Sequence, residues 1–309
     1  MDKKNVRKRN INEWPRHRMQ ALWALISNSY LQGFLSGKIY GGRLKELCVP
    51  GMNCYSCPGA RGACPIGSLQ AVIGSYKFKF PYYVLGFLFL VGAILGRFVC
   101  GWLCPFGLIQ DLLHKIPFPK KIGTFRGDKL LRKLKYLLLL VFVILLPLFL
   151  VDIIGQGSPY FCKLICPVGT LEGGIPLVLL NRTMRGAVGF LYLWKNVLLF
   201  VTIFLSILIY RPFCKYICPL GAIYSFFNLI SVFSYRLDPD KCTGCGACRR
   251  ACQMQIDPMK NCNHLECIRC GRCEKACAAG ALKSGFFIEG LKGRKDGAER
   301  SLRESLGRS

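Results

Sequence analysis

Histidine and acidic residues are what this sequence has least of. Its 309 residues include three histidines, His17, His114 and His264, and none follows a C-x-x-C pair. That excludes covalently attached c-type haem and leaves a histidine-ligated metal or haem site few residues to use. Asp and Glu number 16 against 43 Lys and Arg, a formal charge of +27. Such a surplus points first to nucleic acid. Here, however, the basic residues sit beside apolar segments, where they meet anionic lipid headgroups and set orientation, so no nucleic acid is expected. The basic N-terminus leads into a segment without an A-x-A-like cleavage site, so no removable signal is expected. Ionisable residues are also sparse inside the apolar runs, which counts against a transporter.

What the sequence does have is apolar length and cysteine. Hydrophobic residues make up 52% of the chain, and 19 cysteines are spread through it. The odd count and the chain length argue against a small disulfide scaffold. Clear apolar spans run over 81–98, 136–154 and 195–210, with a weaker one at 20–36 that Asn28 and Gln32 interrupt. Segments 175–194 and 220–235 read as interfacial or packed helices, leaving room for a fifth and sixth span. A bilayer core takes about 20 apolar residues per helix. The expected fold is therefore an all-α polytopic membrane core of about four spans over 20–235. A basic arm over 1–19 precedes it. A small α+β domain over 236–288 and a charged, disordered tail over 289–309 follow. The loop after the second span carries Lys115, Lys120, Lys121, Arg126, Lys129, Arg132, Lys133 and Lys135. The positive-inside rule then places both termini in the cytoplasm of a multi-pass inner-membrane protein.

A chemical phrase repeats along the core. Cys100-x3-Cys104-Pro105, Cys162-x3-Cys166-Pro167 and Cys214-x3-Cys218-Pro219 each end in x-Gly. A partial copy, Cys64-Pro65-Ile66-Gly67, follows Cys48, Cys54 and Cys57. Proline suits the first helical position, where its missing N–H costs nothing, so the second cysteine of each pair is expected at a helix N-terminus. There, backbone dipoles favour a thiolate or an anionic cluster. The topology puts Cys100, Cys104, Cys214 and Cys218 at the cytoplasmic ends of spans, where they suffice for one 4Fe-4S cluster. Cys162 and Cys166 face the other side with Cys54, Cys57 and Cys64. Two readings stay open for this outer group: a further centre using two of the last three, or disulfides. Since about 30 Å of hydrocarbon is too wide for one fast electron hop, centres near each face would divide it.

The C-terminal domain is more specific. Cys242-x2-Cys245-x2-Cys248-x3-Cys252 is followed by Cys267-x2-Cys270-x2-Cys273-x3-Cys277, the bacterial two-cluster run in which each fourth cysteine serves the other cluster. Cys242, Cys245, Cys248 and Cys277 would hold one 4Fe-4S cluster; Cys267, Cys270, Cys273 and Cys252 would hold the other. Gln253 and Ala278 stand where proline usually follows, and Cys262 lies outside the spacing as a buried thiol.

Spans ending in C-x3-C-P, an N-terminal Asn53-Cys54-Tyr55-Ser56-Cys57-Pro58 segment and a two-cluster tail together resemble the NapH-type membrane ferredoxins. The wider group takes in NosR-like and CcoG-like proteins. The resemblance covers roughly residues 20–285. It implies electron exchange between quinol or quinone and redox partners. The expected function is electron transfer between the membrane and a cytoplasmic partner, as a carrier or as a subunit of a quinol-linked oxidoreductase. An acidic redox protein suits the basic surface. The alternative is an accessory protein for redox sensing or metal-centre assembly. Asn28, Gln32, Gln110 and Asp111 are candidates to touch a quinone headgroup, against the competing reading that they bond helix to helix.

Overall fold

The computed structural model describes residues 11–75, 82–119, 121–150, 157–186 and 188–287. Most of the expected basic arm, the expected tail, and the span ends at 81 and 151–154 lie outside the described residues. The protein is mostly helical, with one two-stranded sheet.

Helix Phe190–Leu208 is 19 residues long with a mean hydropathy of 1.9, and 17% of its most apolar stretch is buried. Its inward stripe is Leu199, Thr202 and Ser206, the spacing of one helical face. The two hydroxyls bond back to the carbonyls of Leu198 and Thr202, so they present no unmet polar group. Among the described residues this is the one helix long and apolar enough by itself to cross a membrane. The helix Tyr82–Leu95 buries Val84, Leu88 and Gly92 and is apolar on its outer face as well. Asp128–Leu138 continues through a π-helical segment, Leu139–Leu145, and a last turn, Leu146–Phe149.

The segment over 20–36 is not one span. Helix Trp14–Ser27 ends at Asn28, whose side-chain amide and backbone N–H both donate to the Ala24 carbonyl. A short helix, Gln32–Ser36, follows. Gly33 makes room there for the 57–59 loop: a Cβ would sit 2.1 Å from the Pro58 carbonyl oxygen. The segment at 175–194 holds two short helices, Ile175–Leu180 and the exposed Arg182–Gly186, and then the start of Phe190–Leu208, while 220–235 holds the packed helix Pro219–Phe227, with Leu220, Ala222 and Tyr224 in the core, and the start of a strand.

In the C-terminal domain, strands Phe233–Leu237 and Leu282–Phe286 pair antiparallel with Tyr235 opposite Ser284. Between them lie two short helices, Ala247–Ala251 and Arg272–Ala276, each preceded by a left-handed glycine, Gly246 (φ 67) or Gly271 (φ 81). Each ends on a cysteine of near-identical backbone, Cys252 (φ −78, ψ 108) or Cys277 (φ −78, ψ 104). The halves are thus related by a local two-fold. Where the first has Gly244 at φ 66, the second has Arg269 at φ 52. A non-glycine residue pays strain there. Arg269 is 1% exposed and donates to the Leu95 and Asn228 carbonyls, so the strained residue is also one that ties the domain to the core.

Candidate metal centres

The repeated phrase folds the same way four times. Cys64, Cys104, Cys166 and Cys218 are each the extended N-cap residue of a helix that begins with proline. At Cys218 the thiol accepts the backbone N–H of Gly221, three residues on, at 3.3 Å, and glycine stands at the same offset after the other three, at Gly67, Gly107 and Gly169. Cys218 therefore does the work of a serine or aspartate cap, satisfying a donor that would otherwise be orphaned. The arrangement also delivers a hydrogen bond to sulfur, one of the levers that tune a thiolate-held cluster.

These four caps assemble as two quartets. Cys104 and Cys218 lie within coulombic reach of Cys100 and Cys214, and all four are buried. Cys166 and Cys162 lie within the same reach of Cys54 and Cys64. This second set lines a cavity of about 350 Å³ with Met52, Asn53 and Lys195. Cys57 lies outside that lining and its thiol faces the Asn28 carboxamide oxygen at 3.6 Å. Cys48 is buried elsewhere in the core, and Cys262 donates to the Tyr235 carbonyl.

A buried glutamine performs one task in both quartets. Gln70, six residues after Cys64, donates to the Cys162 sulfur at 3.3 Å and accepts the Phe161 N–H. Gln110, six after Cys104, donates to the Cys214 sulfur at 3.2 Å and accepts the Phe213 N–H. At the same offset in the partner copies stand Glu172, which accepts the Cys54 N–H at 2.7 Å, and Tyr224, which donates to the Pro50 carbonyl. Gln110 and its neighbour Asp111, bound to Arg211, are thus engaged at the inner quartet, and Asn28 closes its own helix.

Arginine distinguishes the inner quartet. Arg97 and Arg211 each stand three residues before the first cysteine of a pair, and they cross over: Arg97 donates to the Cys214 carbonyl and Arg211 to the Cys100 carbonyl. Both side chains are fully buried. Arg211 pairs with Asp111, which also holds Arg16, and Arg97 shares Glu266 with Lys135. Burial works to raise the Glu266 carboxyl. Arg97 and Lys135 outweigh it and hold that group down to about 2.

The quartets adjoin one another. The Gly51–Met52 backbone lies against Cys104, where a Cβ on Gly51 would sit 3.1 Å from the Cys104 Cα, while the Met52 sulfur lies 3.8 Å from that of Cys64. One short stretch therefore touches both core quartets. On the far side of the inner set, Gly101 meets the C-terminal domain so closely that a Cβ would sit 2.2 Å from the Ile268 carbonyl oxygen. Trp102 Nε1 donates to the Arg269 carbonyl at 3.0 Å. In that domain Cys267, Cys270, Cys273 and Cys252 share coulombic reach. Cys277 closes its helix with the same backbone as Cys252, the position from which the spacing assigns it to Cys242, Cys245 and Cys248. Cys245 is the exposed cysteine of the chain.

All nineteen cysteines are free thiols, with no disulfide in the outer group. Among the described residues, no three His, Cys, Asp or Glu side chains close on a point as a single ion requires. The outer four line a cavity instead, and a set of four thiols around such a volume fits a 4Fe-4S cube better than a single zinc ion.

The 4Fe-4S binding domain family matches residues 62–83, 80–124, 136–175 and 192–237, and a further 4Fe-4S binding domain matches 235–256. The uncharacterized protein MJ0749 of Methanocaldococcus jannaschii is 30% identical over 203 residues, 64% of this chain and 68% of that protein. The putative electron transport protein YccM of Escherichia coli is 30% identical over 190 residues, 58% of this chain and 48% of YccM. The regulatory protein NosR of Stutzerimonas stutzeri is 28% identical over 196 residues, 60% of this chain and 24% of NosR. The match thus spans half or less of the latter two. No solved structure matches the chain.

Proposed function

The chain belongs to the 4Fe-4S binding domain family, and on that premise we propose that it conducts electrons through four clusters in series. Iron–sulfur electron transport is the function that family and relatives support. The centres follow in the order Cys54, Cys64, Cys162 and Cys166; then Cys100, Cys104, Cys214 and Cys218; then Cys252, Cys267, Cys270 and Cys273; and last Cys242, Cys245, Cys248 and Cys277. Each set, when loaded, supplies one-electron chemistry. The observation that carries the reading is adjacency, with Gly51 and Met52 against both core quartets and Gly101 against Ile268.

The core is a membrane protein in this reading. Large exposed apolar side chains run from Trp14 to Ile230, with Phe190 at 82% and Phe200 at 71%, whereas Phe286 is the one described in the C-terminal domain. Such a surface suits an apolar solvent. The helical run from Asp128 to Phe149 is long enough to join Phe190–Leu208 as a second span, and Tyr82–Leu95 is a shorter third. Residues 12–13 bond to Arg272 and Lys275, and Arg132 bonds to the Met254 carbonyl. The N-terminal helix, the 114–135 loop and the C-terminal domain therefore share one end of the core, which supports a common cytoplasmic side.

Electrons enter from quinol and leave at the exposed Cys245 end, where Lys241, Arg249 and Arg250 suit an acidic redox partner. An apolar cavity of about 670 Å³ between Trp23, Leu47, Cys48, Val49, Phe87 and Val91 suits the quinol. The narrower resemblance to NapH-type ferredoxins is part of this proposal. The test is iron and acid-labile sulfide per chain in anaerobically purified protein. About sixteen iron supports four clusters, by four per cube, and about eight confines them to the C-terminal domain. Reduction of the clusters by added quinol at catalytic rates separates a conduit from a slow accessory protein.

A further inference from the structure

The two core quartets share one scaffold and differ in the charges around it. At the inner quartet, Asp111 faces two cations, Arg211 and Arg16, and Glu266 faces two, Arg97 and Lys135. Arg16 also meets Glu13, which Arg272 shares, so each cluster of charges keeps one surplus positive charge, and every one of the six side chains named first is at most 5% exposed. Arg97 lies within coulombic reach of Cys100 and Cys214, Arg211 of Cys214, and Lys135 of Cys218.

The outer quartet lacks this provision. Pro159 stands three residues before Cys162, where Arg211 stands before Cys214. Its cations are Lys195 and Lys45, both half-buried, and the exposed Lys163, and the Glu172 side chain sits against the Cys54 N–H. Charges reached by water act through a higher dielectric and are worn down by it.

A thiolate-ligated cluster is anionic and becomes more so on reduction, so fixed dry positive charge favours its reduced state. Arg211 is also held at φ 48, a conformation that costs a non-glycine residue energy and persists where its surroundings over-determine it. We propose that Arg97 and Arg211 make the inner quartet the higher-potential core centre, so that electrons run from the outer quartet to the inner one. This rests on the reading that both quartets hold clusters.

The experiment is a potentiometric titration followed by EPR on the anaerobic full-length protein and on Arg211→Gln, with Arg211→Lys as the charge-keeping control. The expected result is that the higher of two core signals moves down in Arg211→Gln, stays in Arg211→Lys, and the lower signal does not move. Lys135→Gln, which leaves the Arg97–Glu266 pair intact, should shift the same signal in the same direction by less. It carries the test if Arg211→Gln does not fold. Full iron with the lower signal moving, or with neither signal moving in either variant, overturns the ordering while the four-cluster reading stands. About twelve iron per chain or fewer overturns the reading itself, and the ordering with it.

Discussion

The C-terminal domain and the core each offer two sets of four cysteines and assemble them by opposite routes. In the C-terminal domain three thiols of each set come from one loop, shaped by left-handed residues such as Gly244, Gly246 and Gly271. In the core each quartet takes two thiols from each of two segments about a hundred residues apart, joined by helices that themselves bring Gln70, Gln110, Asp111 and Lys135 to the sites. A local set tolerates a poorly packed surround. A set assembled from distant segments depends on every helix between them, which is why the core is where arginines, glutamines and glycines are buried against the thiols.

The largest test of that contrast is Gly101→Val. Its side chain would enter the space of the Ile268 carbonyl, and overpacking against backbone costs on the order of 1–3 kcal/mol or more. The C-terminal domain should come away from the core with its own clusters intact, seen as a mobile domain by limited proteolysis with about eight iron retained in that fragment. Cys218→Ser comes next: it should remove about four iron per chain and leave the outer and C-terminal centres loaded but no longer in electronic contact, measured by EPR after rapid mixing with reductant. Failure to lose iron would remove Cys218 from the ligand set.

Acid gives a smaller version. Glu266 is held at about 2 against an ordinary 4.5, so its contribution to docking is whole above the unfolded value and drains away as pH falls from 4.5 toward 2. Across the whole window that is on the order of 3 kcal/mol, and Glu266→Gln should flatten this part of an acid denaturation curve followed by circular dichroism. Smaller still is Met52→Leu, which preserves volume at a cost under about 1.5 kcal/mol. Iron should be unchanged, and electron exchange between the two core quartets should slow if the thioether lies on the route.

How much could be read beforehand divides along the same line. Spacing alone grouped the eight C-terminal cysteines, because their neighbours in the fold are neighbours in the chain. Pairing Cys100 and Cys104 with Cys214 and Cys218 needed only the sidedness of apolar runs, and the structure brings these four together. Cys57 looked equivalent to Cys54 and Cys64, yet its thiol turns to Asn28. Nothing local marks that, since the 48–64 segment takes its shape from the helices it threads between. The same threading brings the quartets to either side of Met52, where hydropathy suggested opposite faces of a bilayer. Two signals were present in the sequence and missed: a glutamine six residues after Cys64 and Cys104, and an arginine three before Cys100 and Cys214. Both are offsets within a repeat, visible once copies are aligned on the cysteine that caps the helix.

The order of the ligands along the chain has a consequence for how the protein is made. The segments alternate: Cys54 and Cys64, then Cys100 and Cys104, then Cys162 and Cys166, then Cys214 and Cys218. Neither core set can close early, because each waits for a segment that is translated after half of the other has emerged. Synthesis from the N-terminus completes the outer set first, the inner set second and the C-terminal pair last. Maturation is thus directional, and a ribosome stalled before Cys214 leaves a chain with one complete set and half of another, a product that quality control could recognise by its unfilled thiols.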